Sequence, residues 1–86
     1  MPPKRRTQPS SPEQAALGGA IEQLREKLGI TQQELADLSD MDLSRIGAIE
    51  RGVGNPTFKT LQRLAHSLQV NLTEIARLTD KLIDQQ

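Results

Sequence analysis

The stretch Thr31-Gln-Gln-Glu-Leu-Ala-Asp-Leu-Ser-Asp-Met-Asp-Leu-Ser-Arg-Ile-Gly-Ala-Ile-Glu-Arg51 decides how the chain is read. Thr31 and Glu34 have the spacing of a capping box, and Ile30 with Leu35 brackets it as a hydrophobic staple. A helix therefore starts at Gln32. Leu35, Ala36 and Leu38 are expected on its inner face, and it lasts about two turns. Asp42 is expected to cap the next helix, with Met41 and Ile46 as a second staple and Ile46 and Ile49 facing inward. Gly52, Gly54 and Pro56 break the chain after Arg51.

Outward from this stretch the chain reads as helix after helix, with no period-2 alternation long enough for a strand. Upstream, Ser11 precedes Pro12 and Glu13, the order of an N-cap, a first-turn proline and an acid at the positive end of the dipole. Leu17, Ala20, Ile21, Leu24 and Leu28 then fall on one stripe, and Gly29 supplies the stop. Gly18 and Gly19 each weaken that helix by about 1 kcal/mol relative to Ala. Their lack of a side chain would let a neighbouring helix approach. Downstream, a Thr57 cap leads into Phe58, Leu61, Leu64, Ala65 and Leu68, read as one stripe. Asn71 and Glu74 form a second capping-box-like start. The apolar residues after it, from Leu72 to Ile83, spread around more than half of the fifth helix.

The chain is 86 residues long, room for one domain, and carries 11 basic and 11 acidic side chains. This balance argues against a uniformly basic coat. It is uneven, because Lys4, Arg5 and Arg6 stand in a proline-rich start without any acid. Residues 1–10 are expected to be a flexible basic arm, and residues 11–86 the folded domain. The absence of cysteine excludes a disulfide framework and a thiolate metal site. No apolar run reaches the roughly 18 residues of a membrane span, and no signal-peptide pattern opens the chain. These features lead to the expectation of a small cytoplasmic domain with a core of Leu, Ile and Ala.

Two short helices joined by a tight turn, with small Ala36 where they meet, have the geometry of a DNA-binding helix-turn-helix. Here the sequence resembles the Cro/lambda-repressor-type (XRE) family. The resemblance runs over about residues 17–75 and rests on Leu17-Gly18, Ile21, Leu24-Arg25, Gly29-Ile30-Thr31-Gln32, Glu34-Leu35-Ala36, Ile46, Ile49-Glu50-Arg51-Gly52, Pro56-Thr57, Leu61 and Leu64-Ala65. It implies an all-α, compact five-helix fold and sequence-specific binding to duplex DNA, usually as a dimer on a palindromic operator.

Carried over by position, the resemblance makes residues 43–51 the recognition helix in the major groove. Leu43, Ser44, Arg45, Gly47 and Ala48 are then the base-contacting positions. Gln32, Arg51, Asn55, Thr57 and Lys59 match phosphate-contacting positions, and Arg25 with Glu50 matches an internal ion pair. Two departures stand out. Asp40 occupies a turn position usually held by Gly, where Asp tolerates the left-handed conformation better than most residues. Leu43, Gly47 and Ala48 also lack the hydrogen-bonding groups that read base edges, which shifts readout towards Ser44, Arg45, thymine methyls and DNA shape.

The remaining features are weighed against plainer readings. Lys4, Arg5 and Arg6 either contact phosphates beside the domain or form a solvated tail. His66, the only histidine, is expected on the polar side of the fourth helix with no metal role. Leu78, Leu82 and Ile83 are surplus to one packing face and are expected at a homodimer interface. The chain ends soon after the fifth helix, so no ligand-sensing module is expected. With no Cys, a single His, no Gly-rich phosphate loop after a strand and no pocket-building pair of domains, neither an enzyme nor a cofactor is expected. The leading expectation is a small transcription regulator of the repressor or controller kind. The alternative is a protein-interaction module or antitoxin whose main partner is another protein.

Overall fold

Four of the five helices begin where a side chain accepts one of their free amides. The computed structural model describes residues 9–85, with helices α1 (Pro12–Leu28), α2 (Gln32–Ser39), α3 (Leu43–Glu50), α4 (Phe58–Leu68) and α5 (Leu72–Asp84). There is no strand among the described residues. Ser11 Oγ accepts from the Gln14 amide, and Thr57 Oγ1 from the Thr60 amide, at 3.0 and 3.1 Å. Complete capping boxes start α2 (Thr31 with Glu34) and α5 (Asn71 with Glu74). Asp42 occupies the cap position of α3, but its carboxylate makes no capping bond. The first turn of α3 is held instead by the amides of Arg45 and Ile46 on the Asp42 carbonyl, at 3.0 and 3.1 Å.

The helix stops follow local chemistry. Asp40 ends α2 in the left-handed region at φ 54°, so the departure from Gly leaves the turn intact. Gln69 ends α4 the same way at φ 63°, a stop that no Gly announces.

The core unites Ile21, Leu35, Ala36, Ile46, Ile49, Leu64, Ala65, Leu68 and Ile75 from all five helices. Burial of each Leu and Ile among them contributes about 1.5–3 kcal/mol relative to exposure. The helix α1 lies along α5 on one side and meets α3 on the other, while α2 packs on α3 and α4. Gly18 makes the α1–α3 approach. A Cβ there would collide with the carbonyl oxygens of Ile49 and Glu50 and stand 2.8 Å from Glu50 C.

Two apolar assignments are corrected. Leu38 is 61% exposed, because Leu35, Ala36 and Ser39 define the inward arc of α2 and Leu38 falls outside it. Phe58 is 63% exposed, because it is the first residue of α4 and projects ahead of the turn that meets the core. The interior also holds a polar contact with no clear sequence signal. Ser39 Oγ donates to Ser67 Oγ at 2.9 Å, joining α2 to α4 with both serines buried.

Candidate nucleic-acid interface

The short α3 is anchored at its back by charge as well as by apolar packing. Arg25 Nε donates to Glu50 Oε2 at 2.7 Å and Nη2 to Oε1 at 3.2 Å, a two-pronged pair between α1 and the end of α3. Arg25 Nη1 also donates to the Ile30 carbonyl at 2.9 Å, which ties in the segment leading to α2. The Glu50 hydrogen bond raises the Arg25 guanidinium above its usual pKa, against the opposing effect of burial. Gln32 Nε2 completes the network by donating to Glu50 Oε1 at 2.8 Å. One carboxylate thus serves α1, α2 and α3 together.

The front of α3 is open. Leu43 is 44% exposed, and Ser44 and Arg45 are exposed beside it. Ala48 is half-buried. Gly47, expected to be open, is buried, and beyond its chain neighbours and the α3 backbone the one atom within 4 Å of where its Cβ would stand is Arg51 Nη1, at 3.0 Å. The exposed Arg51 therefore folds back over α3 and covers it. Gln32 is half-buried at the first position of α2 with its amide committed to Glu50.

Asn55 and Thr57, on the loop that leaves α3, and Lys59, in the first turn of α4, are exposed. That loop is held by the first residues of the domain, a contact the sequence reading missed. Ser10, assigned to the arm, donates its backbone N–H to the Gly52 carbonyl at 2.8 Å, because the turn leaves that carbonyl free. Gly54 N–H donates to Ser10 Oγ, and Gln14 Nε2 donates to the Gly54 carbonyl. Gly52 has φ 78°, and a Cβ on it would stand 2.8 Å from Ala15 Cα, so glycine meets two demands there. Lys4, Arg5 and Arg6 lie outside the described residues.

The fifth helix divides its apolar residues between two faces. Leu78, Leu82 and Ile83 are half-buried rather than exposed. Leu82 Cδ1 lies 3.4 Å from the Cβ position of Gly19, and Leu78 borders the same hollows as Leu24, so both face α1. By helical spacing Ile83 continues the neighbouring stripe of Leu72, Ala76 and Thr79. His66 is exposed on α4. Among the described residues no group of three or more His, Cys, Asp or Glu is placed to hold a metal, and no helix is long and apolar enough to cross a membrane.

A short helix locked from behind, a tight turn before it and an open outer face define a helix-turn-helix. Residues 21–75 match the helix-turn-helix family, and the chain belongs to it. It is 35% identical over 65 residues to an uncharacterized HTH-type transcriptional regulator, y4dJ, of Sinorhizobium fredii, covering 76% of this chain and 84% of that protein. Among solved structures it is similar to the restriction-modification controller protein C.AhdI from Aeromonas hydrophila, with 31% identity and a TM-score of 0.74 over 76% of this chain and 98% of that one. It is also similar to the controller protein C.Esp1396I, solved as a tetramer in complex with its natural 35 base-pair operator. That match has 30% identity and a TM-score of 0.79 over 86% of this chain and 97% of that one.

Proposed function

We propose that this chain is a small transcriptional regulator, of the repressor or controller kind, that binds duplex operator DNA as a homodimer with α3 in the major groove. The observation that carries the reading is the mounting of α3. Its rear is fixed through Glu50 to Arg25 and Gln32, while Leu43, Ser44 and Arg45 stand free in front. A groove about 12 Å wide admits such a helix. Asn55, Thr57 and Lys59 serve the flanking phosphates, aided by the backbone amides at the starts of α2, where Gln32 stands, and of α4. In this reading the protein works in the cytoplasm and binds rather than catalyses.

The homodimer has a surface that suits it. Leu17, Leu61, Leu72, Ile75 and Ala76 line an apolar groove of about 420 Å³, whose charged edge residues, Glu13 and Asp80, are both acidic. The exposed Phe58 stands one turn ahead of Leu61, with exposed Lys59 next to it. A second copy related by a two-fold axis would set each Phe58 in its partner's groove and each Lys59 by an acidic edge. Ile83 extends the same stripe, whereas the half-buried Leu78 and Leu82 face α1. For such a dimer the operator is expected to carry two half-sites about 34 Å apart, one turn of DNA.

Selection of bound fragments from random duplex DNA tests the function. Recovery of a two-fold-symmetric sequence at about 100 mM salt is the expected result. Recovery of no preferred sequence overturns it. A second reading, a docking module for another protein, is favoured by Leu38, exposed on α2 beside Glu34 and Asp37. Binding of a stoichiometric protein partner that survives Ser44→Glu with Arg45→Glu would favour that reading.

A further inference from the structure

The outward face of α3 is poor in hydrogen-bonding side chains of its own. After Ser44 and Arg45 in its first turn come Gly47 and Ala48, neither of which offers a side-chain donor or acceptor. By helical spacing Gly47 faces outward, between Leu43 and Arg51, and yet it is buried. Its cover is the guanidinium of Arg51, whose Nη1 lies 3.0 Å from the Cβ position of Gly47, with no other atom within 4 Å beyond its chain neighbours and the backbone of α3 itself. An arginine four residues on leans back towards the helix start, as helical side chains do. The guanidinium thus occupies the place where a residue at 47 would put its side chain. Arg51 itself is exposed; its backbone N–H donates to the Gly47 carbonyl at 3.0 Å, while the described residues supply its guanidinium with neither a hydrogen bond nor an ion pair. Its five donors are available.

We infer that Arg51 reads a guanine base in the major groove rather than holding a phosphate. The inference rests on the DNA-binding reading of α3 and assigns it a specificity residue. A phosphate-holding arginine would reach sideways from the helix to the backbone, whereas Arg51 lies along the face that enters the groove. Its planar fork matches the N7 and O6 acceptors of guanine, the pairing that most often specifies this base. Gly47 and Ala48 then have a defined role as the flat seat on which the guanidinium rests. Base readout comes from a side chain at the far end of α3 folded over its small residues.

Selection from random duplex DNA with the full chain and with Arg51→Ala separates the two roles. Wild-type protein is expected to recover a guanine at one fixed position in each half-site. Arg51→Ala loses that preference alone, with affinity for the wild-type site falling about 10-fold to 100-fold and the other positions kept. Gly47→Leu keeps Arg51 but fills its seat, and weakens the same guanine. Because Arg51 is exposed, unchanged thermal unfolding of Arg51→Ala confirms that the variant folds. Uniform weakening on all sequences, with an unchanged consensus and a salt slope reduced by about one, identifies a phosphate contact and overturns the assignment. A wild-type protein that recovers no sequence overturns the DNA-binding reading and this inference with it.

Discussion

The side-chain amide of Gln32 donates to Glu50 Oε1 at 2.8 Å, joining the first position of α2 to the last position of α3. The two helices of the motif are therefore linked by a direct polar contact as well as by Leu35, Ala36, Ile46 and Ile49 in the core. Because the same carboxylate binds Arg25, the angle at which α3 is presented depends on a single charged group. Glu50→Ala leaves the buried Arg25 without its partner, and should cost about 3 kcal/mol or more in chemical denaturation. The Arg25 pKa is raised by Glu50, so this charge favours the folded state below its usual value and the benefit is lost only as pH rises through the raised one. Its contribution should therefore stay constant between about pH 6 and pH 9.

Gly18→Ala and Gly19→Ala should act in opposite directions although they are adjacent in one helix. Either change favours the helix by about 1 kcal/mol. At Gly18 the new methyl meets backbone of α3 that cannot move aside, and a net loss of about 2 kcal/mol is expected. At Gly19 it meets Leu82 Cδ1 at 3.4 Å, an ordinary contact, and the melting temperature should rise.

The Ser39–Ser67 bond gives a coupled pair. Ser67→Ala leaves the buried Ser39 hydroxyl without its acceptor and should cost about 1–2 kcal/mol. Replacing both serines by Ala should cost less than the two single losses added together. A double-mutant cycle on unfolding free energies measures the difference.

Phe58→Ala should leave the unfolding of the monomer unchanged, since the ring is 63% exposed, but weaken self-association at least about 10-fold. Lys59→Glu should weaken it too, and Lys59→Glu with Asp80→Lys should restore part of the loss. Sedimentation equilibrium without DNA reads these changes apart from DNA affinity. Dimers that persist unchanged in Phe58→Ala would place the interface elsewhere.

Ser44→Glu together with Arg45→Glu puts two acids on the exposed first turn of α3. DNA binding in a mobility-shift titration should be lost, while thermal unfolding stays within about 0.5 kcal/mol of wild type. Retained binding would show that a different surface meets the DNA.

What the sequence determined by itself was local. The capping boxes at Thr31 and Asn71, the stop at Gly29 and the inward stripes of α1 and α3 act within one or two turns, so spacing alone reveals them. The motif from Gln32 to Arg51 was legible for the same reason. Tertiary structure decided what depends on how helices cross and where long side chains lie. It exposed Leu38 and Phe58, turned Leu78 and Leu82 towards α1, and closed the Ser39–Ser67 contact between α2 and α4. It also covered Gly47 with Arg51 and tied Gln32 to Glu50. The physical reason is that helical periodicity assigns a direction to each Cβ. It does not say which neighbouring element fills that direction, nor how far an arginine or glutamine folds back before it finds a partner.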